Sequence, residues 1–174
     1  MPDFFYGKPY SKDDFPPDTP EKQKKLGDFF AGPAAPDATA KKVFELVEEL
    51  KSQPENSSIK TWGSLGACWG GKIASLTAQE GTPFSAAAEV HPAMIDPEDA
   101  KKIGIPIAIL ASGDEDEEAV KGFEANCKSK KYVEIFKDQV HGWMQARAEL
   151  GNPRVKEEYE RGYRTLLEFY HEHL

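Results

Sequence analysis

The stretch Gly66-Ala67-Cys68-Trp69-Gly70-Gly71-Lys72 constrains this chain most, because it sets one thiol among glycines between a strand-forming run and a helix-forming run. Ile59 to Leu65 reads as the strand and Lys72 to Ala78 as the helix that follows it. A tight strand-turn-helix needs residues without a Cβ where backbones approach, which gives Gly66, Gly70 and Gly71 a mechanical purpose. The helix supplies unpaired N–H groups and a positive dipole end, and both stabilise a thiolate or an oxyanion. Cys68 is therefore the leading candidate nucleophile, with the backbone N–H of Trp69 as an oxyanion donor. Two other readings stay open. A free cysteine is commonly a small buried apolar residue. Gly66 to Lys72 also fits the start of a phosphate-binding loop, although Ile73 stands where a magnesium-binding Ser or Thr belongs.

A thiol nucleophile needs a general base and a carboxylate to orient it, and the chain offers both after Cys68, in the order acid then histidine. Pro106 to Ala111 is a compact apolar strand candidate, and Asp114 lies just past its end. Tyr132 to Phe136 is another, followed after a short polar loop by His141-Gly142-Trp143. Both side chains would emerge at the carboxyl ends of strands, the edge where open α/β sheets place ligands. Asp114 is the candidate acid and Asp116 the alternative, within an acidic run from Asp114 to Glu118 that also reads as a solvated helix N-terminus. His91, in Val90-His91-Pro92, follows the apolar run Ala86 to Val90 and reads as a supporting residue on the same edge. His171 and His173 fall in the last four residues and read as decoration of a frayed helix end.

Taken together, the Gly66 to Lys72 motif, His91-Pro92, Asp114, and His141-Gly142-Trp143 with Arg147 resemble the dienelactone hydrolase family, in particular its fungal-type branch. The amino-terminal Pro2-Asp3-Phe4-Phe5-Tyr6-Gly7 is similar to a segment that follows the family's fourth strand. The resemblance implies an α/β-hydrolase fold and a Cys-Asp-His triad of Cys68, Asp114 and His141 acting as a carboxylesterase on a small ester or lactone, with no cofactor and no metal. His91, Trp143 and Arg147 are its expected substrate-binding residues. A complete member also carries an amino-terminal segment before Pro2-Asp3-Phe4-Phe5, with the first strands and a loop bearing the second oxyanion donor. The resemblance therefore implies a truncated α/β-hydrolase, with four parallel strands near residues 59–65, 86–90, 106–111 and 132–136. Without those strands the one leading to Cys68 would expose its edge, so a homodimer, with or without exchanged elements, is expected. A catalytically silent binding or structural protein on the same scaffold is the alternative.

Composition fits one α/β domain over residues 1–174, since 39% hydrophobic residues allow a modest core. Thirty acidic against twenty-two basic residues give a net charge of −8, which argues against nucleic-acid binding. The two cysteines, Cys68 and Cys127, form no metal-ligand spacing or disulfide framework; Cys127 reads as structural. With no signal-peptide pattern or membrane-length apolar run, the cytoplasm is the expected compartment and no membrane partner is expected. Residues 1–36 hold seven of the thirteen prolines and seven aromatics, and read as an irregular wrapping segment whose rings need burial. Val43, Phe44, Leu46, Val47 and Leu50 mark an amphipathic helix, Glu117 to Lys128 another, and a final one begins near Pro153 with a stripe of Val155, Tyr159, Tyr163, Leu166 and Tyr170.

Overall fold

In the computed structural model, residues 2–174 are described, and their frame is a four-stranded parallel sheet in the order β1-β2-β3-β4. The strands are β1 (Gly63–Ala67), β2 (Ala86–Val90), β3 (Ile107–Ser112) and β4 (Lys131–Phe136). Helix α3 (Trp69–Thr77) joins β1 to β2, the short α4 (Pro97–Ala100) joins β2 to β3, and α5 (Glu117–Asn126) joins β3 to β4. Two helices precede the sheet, α1 (Pro20–Ala31) and α2 (Pro36–Ser52), and α6 (Pro153–His173) closes the chain.

Parallel strands with helices on both faces are buried on both sides, and every residue of β2 and β3 is buried. Alternation divides the core in two. Ile107, Ile109 and Ala111 face Val120 and Phe123 of α5, whereas Ala108 and Leu110 face Phe136, Trp143, Met144 and the α6 residues Leu166 and Phe169.

Three strands lie within a residue of where sequence places them, but β1 does not. Gly66 and Ala67, expected in the turn, stay in the ladder opposite Glu89 and Val90, so the strand runs directly up to Cys68. Ile59–Trp62, expected in the strand, precede it. At the sheet edge β1 pairs only with β2, and Leu65 is 53% exposed there; this open edge is the feature on which the dimer expectation rests.

The segment 1–36 is less irregular than its prolines suggest. Thr19 accepts the Lys22 N–H as an N-cap, and Pro20 occupies the first turn of α1, where its missing N–H costs nothing. Wrapping does occur: Phe4 and Phe5 pack against Trp69, Phe5 against Phe29, and the Trp69 indole donates to the Ala34 carbonyl at 2.9 Å. The amino-terminal segment thus rests on the residue immediately after Cys68.

Candidate active site

Cys68 sits at the bend between β1 and α3 with φ 54° and ψ −122°, a left-handed conformation that a residue with a Cβ adopts only under strain. Neighbouring strands hold it there. Its N–H donates to the Val90 carbonyl at 3.2 Å, and its own carbonyl accepts from Gly71 and Ala93, both at 2.9 Å. The turn closes because a Cβ on Gly66 would lie 1.9 Å from the Gly70 carbonyl oxygen, and one on Gly71 would lie 2.7 Å from Pro92. Gly70 differs from the sequence expectation: a Cβ there meets nothing within 4 Å, and only its carbonyl takes part in the close approach. Gly66→Ala is accordingly expected to cost more than about 3 kcal/mol, since backbone must move against backbone. Urea unfolding checks this, and a wild-type midpoint would mean that the turn relaxes.

Two loops at the carboxyl ends of β3 and β4 bring the second and third groups to Cys68. They are stitched by Gly113 N–H to the Gln139 carbonyl at 2.9 Å and by His141 N–H to Asp114 Oδ2 at 2.8 Å. Asp114 therefore holds the backbone of His141, not its ring. The ring nitrogen Nδ1 lies 2.6 Å from Glu115 Oε1, and the other oxygen of Glu115 accepts the Ser112 N–H. The Glu115 side chain is only 5% exposed, whereas Asp114 is exposed. The alternative, Asp116, caps α5 through the N–H groups of Glu118 and Ala119. The carboxylate against His141 is thus Glu115, in place of both aspartates singled out from sequence.

Burial pushes the Cys68 thiol up, but the hydrogen bond and charge of His141 and the N–H of Trp69 together bring it below its ordinary value. His141 is pushed up to about 10, first by its hydrogen bond to Cys68 and then by that to Glu115, against the opposing effect of burial. Each partner therefore favours the charged form of the other.

The remaining sequence candidates divide. His91 joins the cluster: it is 1% exposed, with its ring 5.0 Å from that of His141. Trp143 does not. Expected to bind substrate, it is fully buried, stacked on Phe136 at 4.5 Å and set against Gly162 of α6, and so belongs to the core. Arg147 is exposed and donates to the His141 carbonyl at 3.1 Å, bracing the loop from its far side. Lys72, the would-be phosphate lysine, is paired with Asp99 and lies 3.7 Å from Asp96. Three cavities of about 530, 470 and 370 Å³ are lined by residues other than Cys68, the third lying behind the His141 loop against Gln139, Trp143 and Arg147.

A thiol on a strained turn after a strand, with an imidazole and a carboxylate delivered from the next strand ends, is the spatial plan of an α/β-hydrolase site. Comparisons with known proteins agree. The family model described as "Dienelactone hydrolase family" matches residues 1–174. Two uncharacterized AIM2 family proteins of Schizosaccharomyces pombe are 35% and 32% identical to the chain over 98% and 99% of its length. The chain spans 69% and 70% of those relatives. Among solved structures, m3DLH superposes with a TM-score of 0.59 at 18% identity, covering 85% of this chain and 66% of its own. Motif, topology and these similarities together place the chain in the dienelactone hydrolase family, with its α/β-hydrolase fold.

Proposed function

We propose that the protein hydrolyses a small ester or lactone with Cys68 as nucleophile, His141 as acid and base, and Glu115 as the carboxylate that orients His141. The observation that carries this reading is the His141 ring, whose Nδ1 lies 2.6 Å from Glu115 Oε1 while its nearness lowers the pKa of the Cys68 thiol. The Cys68 thiolate attacks the carbonyl carbon, and the Trp69 N–H, at the start of α3, serves as the oxyanion donor. As the tetrahedral intermediate collapses, the imidazolium gives its proton to the departing alkoxide and a thioester forms. Neutral His141 then takes a proton from water, whose oxygen attacks the thioester. Release of the acid restores thiolate and imidazolium. Each step uses groups of the chain and one water.

Hydrolysis of a short-chain p-nitrophenyl ester by wild-type and Cys68→Ala protein tests the proposal. Turnover is expected from the wild type, falling to the uncatalysed rate in the variant. Equal rates from both folded proteins across several esters would reject it. The second reading, a silent scaffold that keeps the site without turnover, draws on the open edge of β1, the strand that leads to Cys68. It predicts no turnover from either protein.

A further inference from the structure

His91 is a buried neighbour of the site that the proposed chemistry does not use, and its placement is costly. It stands just past β2 at φ +36°, with its N–H donating to the Leu110 carbonyl at 2.7 Å. Pro92, next in the chain, packs against the first turn of α3. The side chain is therefore driven into the space between the β2 end and the His141 loop. Among the described residues, neither of its two buried ring nitrogens has a hydrogen-bond partner. An unpaired buried polar atom costs about 1–3 kcal/mol, which an apolar side chain of similar shape would avoid. The ring meets His141 edge to face, with planes inclined at 69°.

The charged groups around His141 come from each packed element. Cys68 arrives from the β1–α3 turn, Glu115 and Asp114 from the β3–α5 loop, and Arg147 from the His141 loop itself. Glu115 occupies Nδ1 and Cys68 pairs with the same ring, whereas Asp114 and Arg147 engage the backbone N–H and carbonyl of His141. What remains for His91 is the carbon framework of the ring. Aromatic faces attract cations, and an imidazolium is a cation whose carbon edge is strongly positive.

We infer that His91 is a positioning residue whose neutral ring stabilises the charged form of His141 by edge-to-face contact, and thereby the thiolate form of Cys68. This rests on reading Cys68 and His141 as a charged pair. Burial and the charge of His141 push His91 down to about 4, so the ring stays neutral while His141 is charged. The ring face acts, and the two nitrogens do not.

The test is the pH profile of iodoacetamide alkylation at Cys68, read by peptide mass spectrometry so that Cys127 does not contribute. His91→Leu is expected to move the alkylation midpoint up by about 0.5–1 pH unit, a roughly 3–10-fold loss of thiolate below the midpoint. His91→Phe, which restores a face without nitrogens, is expected to stay within about 0.3 unit of wild type and to melt no lower, because two unpaired polar atoms are gone. His91→Met replaces Leu if that variant does not fold. A Leu profile identical to wild type overturns the inference, as does a Phe profile shifted as far as Leu, which would assign the effect to the nitrogens. An ordinary thiol midpoint in wild type, unchanged by His141→Ala, would overturn the charged pair itself. That result is separate from a low wild-type midpoint that His91→Leu leaves in place.

Discussion

Glu115→Gln is expected to lower kcat for ester hydrolysis by about 10²–10⁴-fold, while Asp114→Asn stays within about tenfold of wild type. The asymmetry follows from how each carboxylate is held. One oxygen of Glu115 is fixed by the Ser112 N–H and the other faces His141 Nδ1. In the Gln variant the carbonyl oxygen keeps the Ser112 N–H, so the amide NH₂ must face the ring. Nδ1 is then forced to accept, the proton of neutral imidazole moves to Nε2, and that nitrogen can no longer take a proton from the thiol or from water. The ring is retained in the wrong tautomer. Asp114 meets only the His141 backbone N–H, and an asparagine oxygen can accept that bond equally. The same Glu115→Gln change should raise the alkylation midpoint of Cys68, because Glu115 helps hold His141 charged and the effect of His141 on the thiol is larger than the direct repulsion by which the Glu115 charge raises it. Steady-state kinetics with circular dichroism on both variants check the expectation. A larger loss in Asp114→Asn than in Glu115→Gln would return the acid's role to Asp114.

The sequence made the body of the fold legible because β2 and β3 are buried runs bounded by turn residues, as the interior of a parallel sheet requires, and the half-exposed edge strand β4 still carries the strand formers Tyr132, Val133, Ile135 and Phe136. It misled at β1 because the glycines there were given to the turn. Gly66 lacks a Cβ for the sake of the approach to Gly70, which a residue still inside the strand must also satisfy. Helix α1 was hidden by the assumption that prolines interrupt, although the Thr19-Pro20 pair is a start signal. In α6 the expected stripe holds at Leu166, which is buried, and at Tyr170, which packs against the core, but Glu158 and Gly162 take the buried positions in place of Tyr159 and Tyr163, and Phe169 joins them; Gly162 leaves room for Trp143.

At the site, the nearness of Cys68 and His141 is legible in their motifs, and which carboxylate faces the His141 ring is not. Three adjacent acidic residues follow β3, and their tasks differ by fractions of a turn: Asp114 holds a backbone N–H, Glu115 turns inward, and Asp116 caps α5. The cap was within reach of sequence, since Asp116 stands immediately before the helix-forming run from Glu117. Choosing between the other two requires the direction in which the loop leaves Ser112. Glu89 carried no motif at all.

Glu89 gives the largest effect expected on stability. It is 1% exposed in the middle of β2, hydrogen-bonded to Ser75 of α3, and it lies directly under the first turns of that helix beside Gly71. Burial drives its carboxyl up from 4.5 to about 8; the Ser75 bond and Lys72 act against the rise, and Asp99 adds to it. A carboxyl that keeps its proton to about pH 8 when folded and only to about 4.5 when unfolded binds more protons in the folded chain between those limits. Its contribution to stability is therefore fully present below about pH 4.5 and is lost as pH rises through about 8, at roughly 1.4 kcal/mol per pH unit and on the order of 4 kcal/mol in total. Glu89→Gln has nearly the same shape, can accept the Ser75 hydroxyl proton, and carries no ionisable group. Its melting temperature should hold between pH 5 and pH 9 where the wild type loses roughly 8–15 °C relative to it. Titration of the other carboxylates is common to both proteins and cancels in the comparison. Thermal melts of the pair across that range measure the difference. Parallel curves would mean that Glu89 is already ionised in the folded chain at neutral pH, with Lys72 compensating its charge.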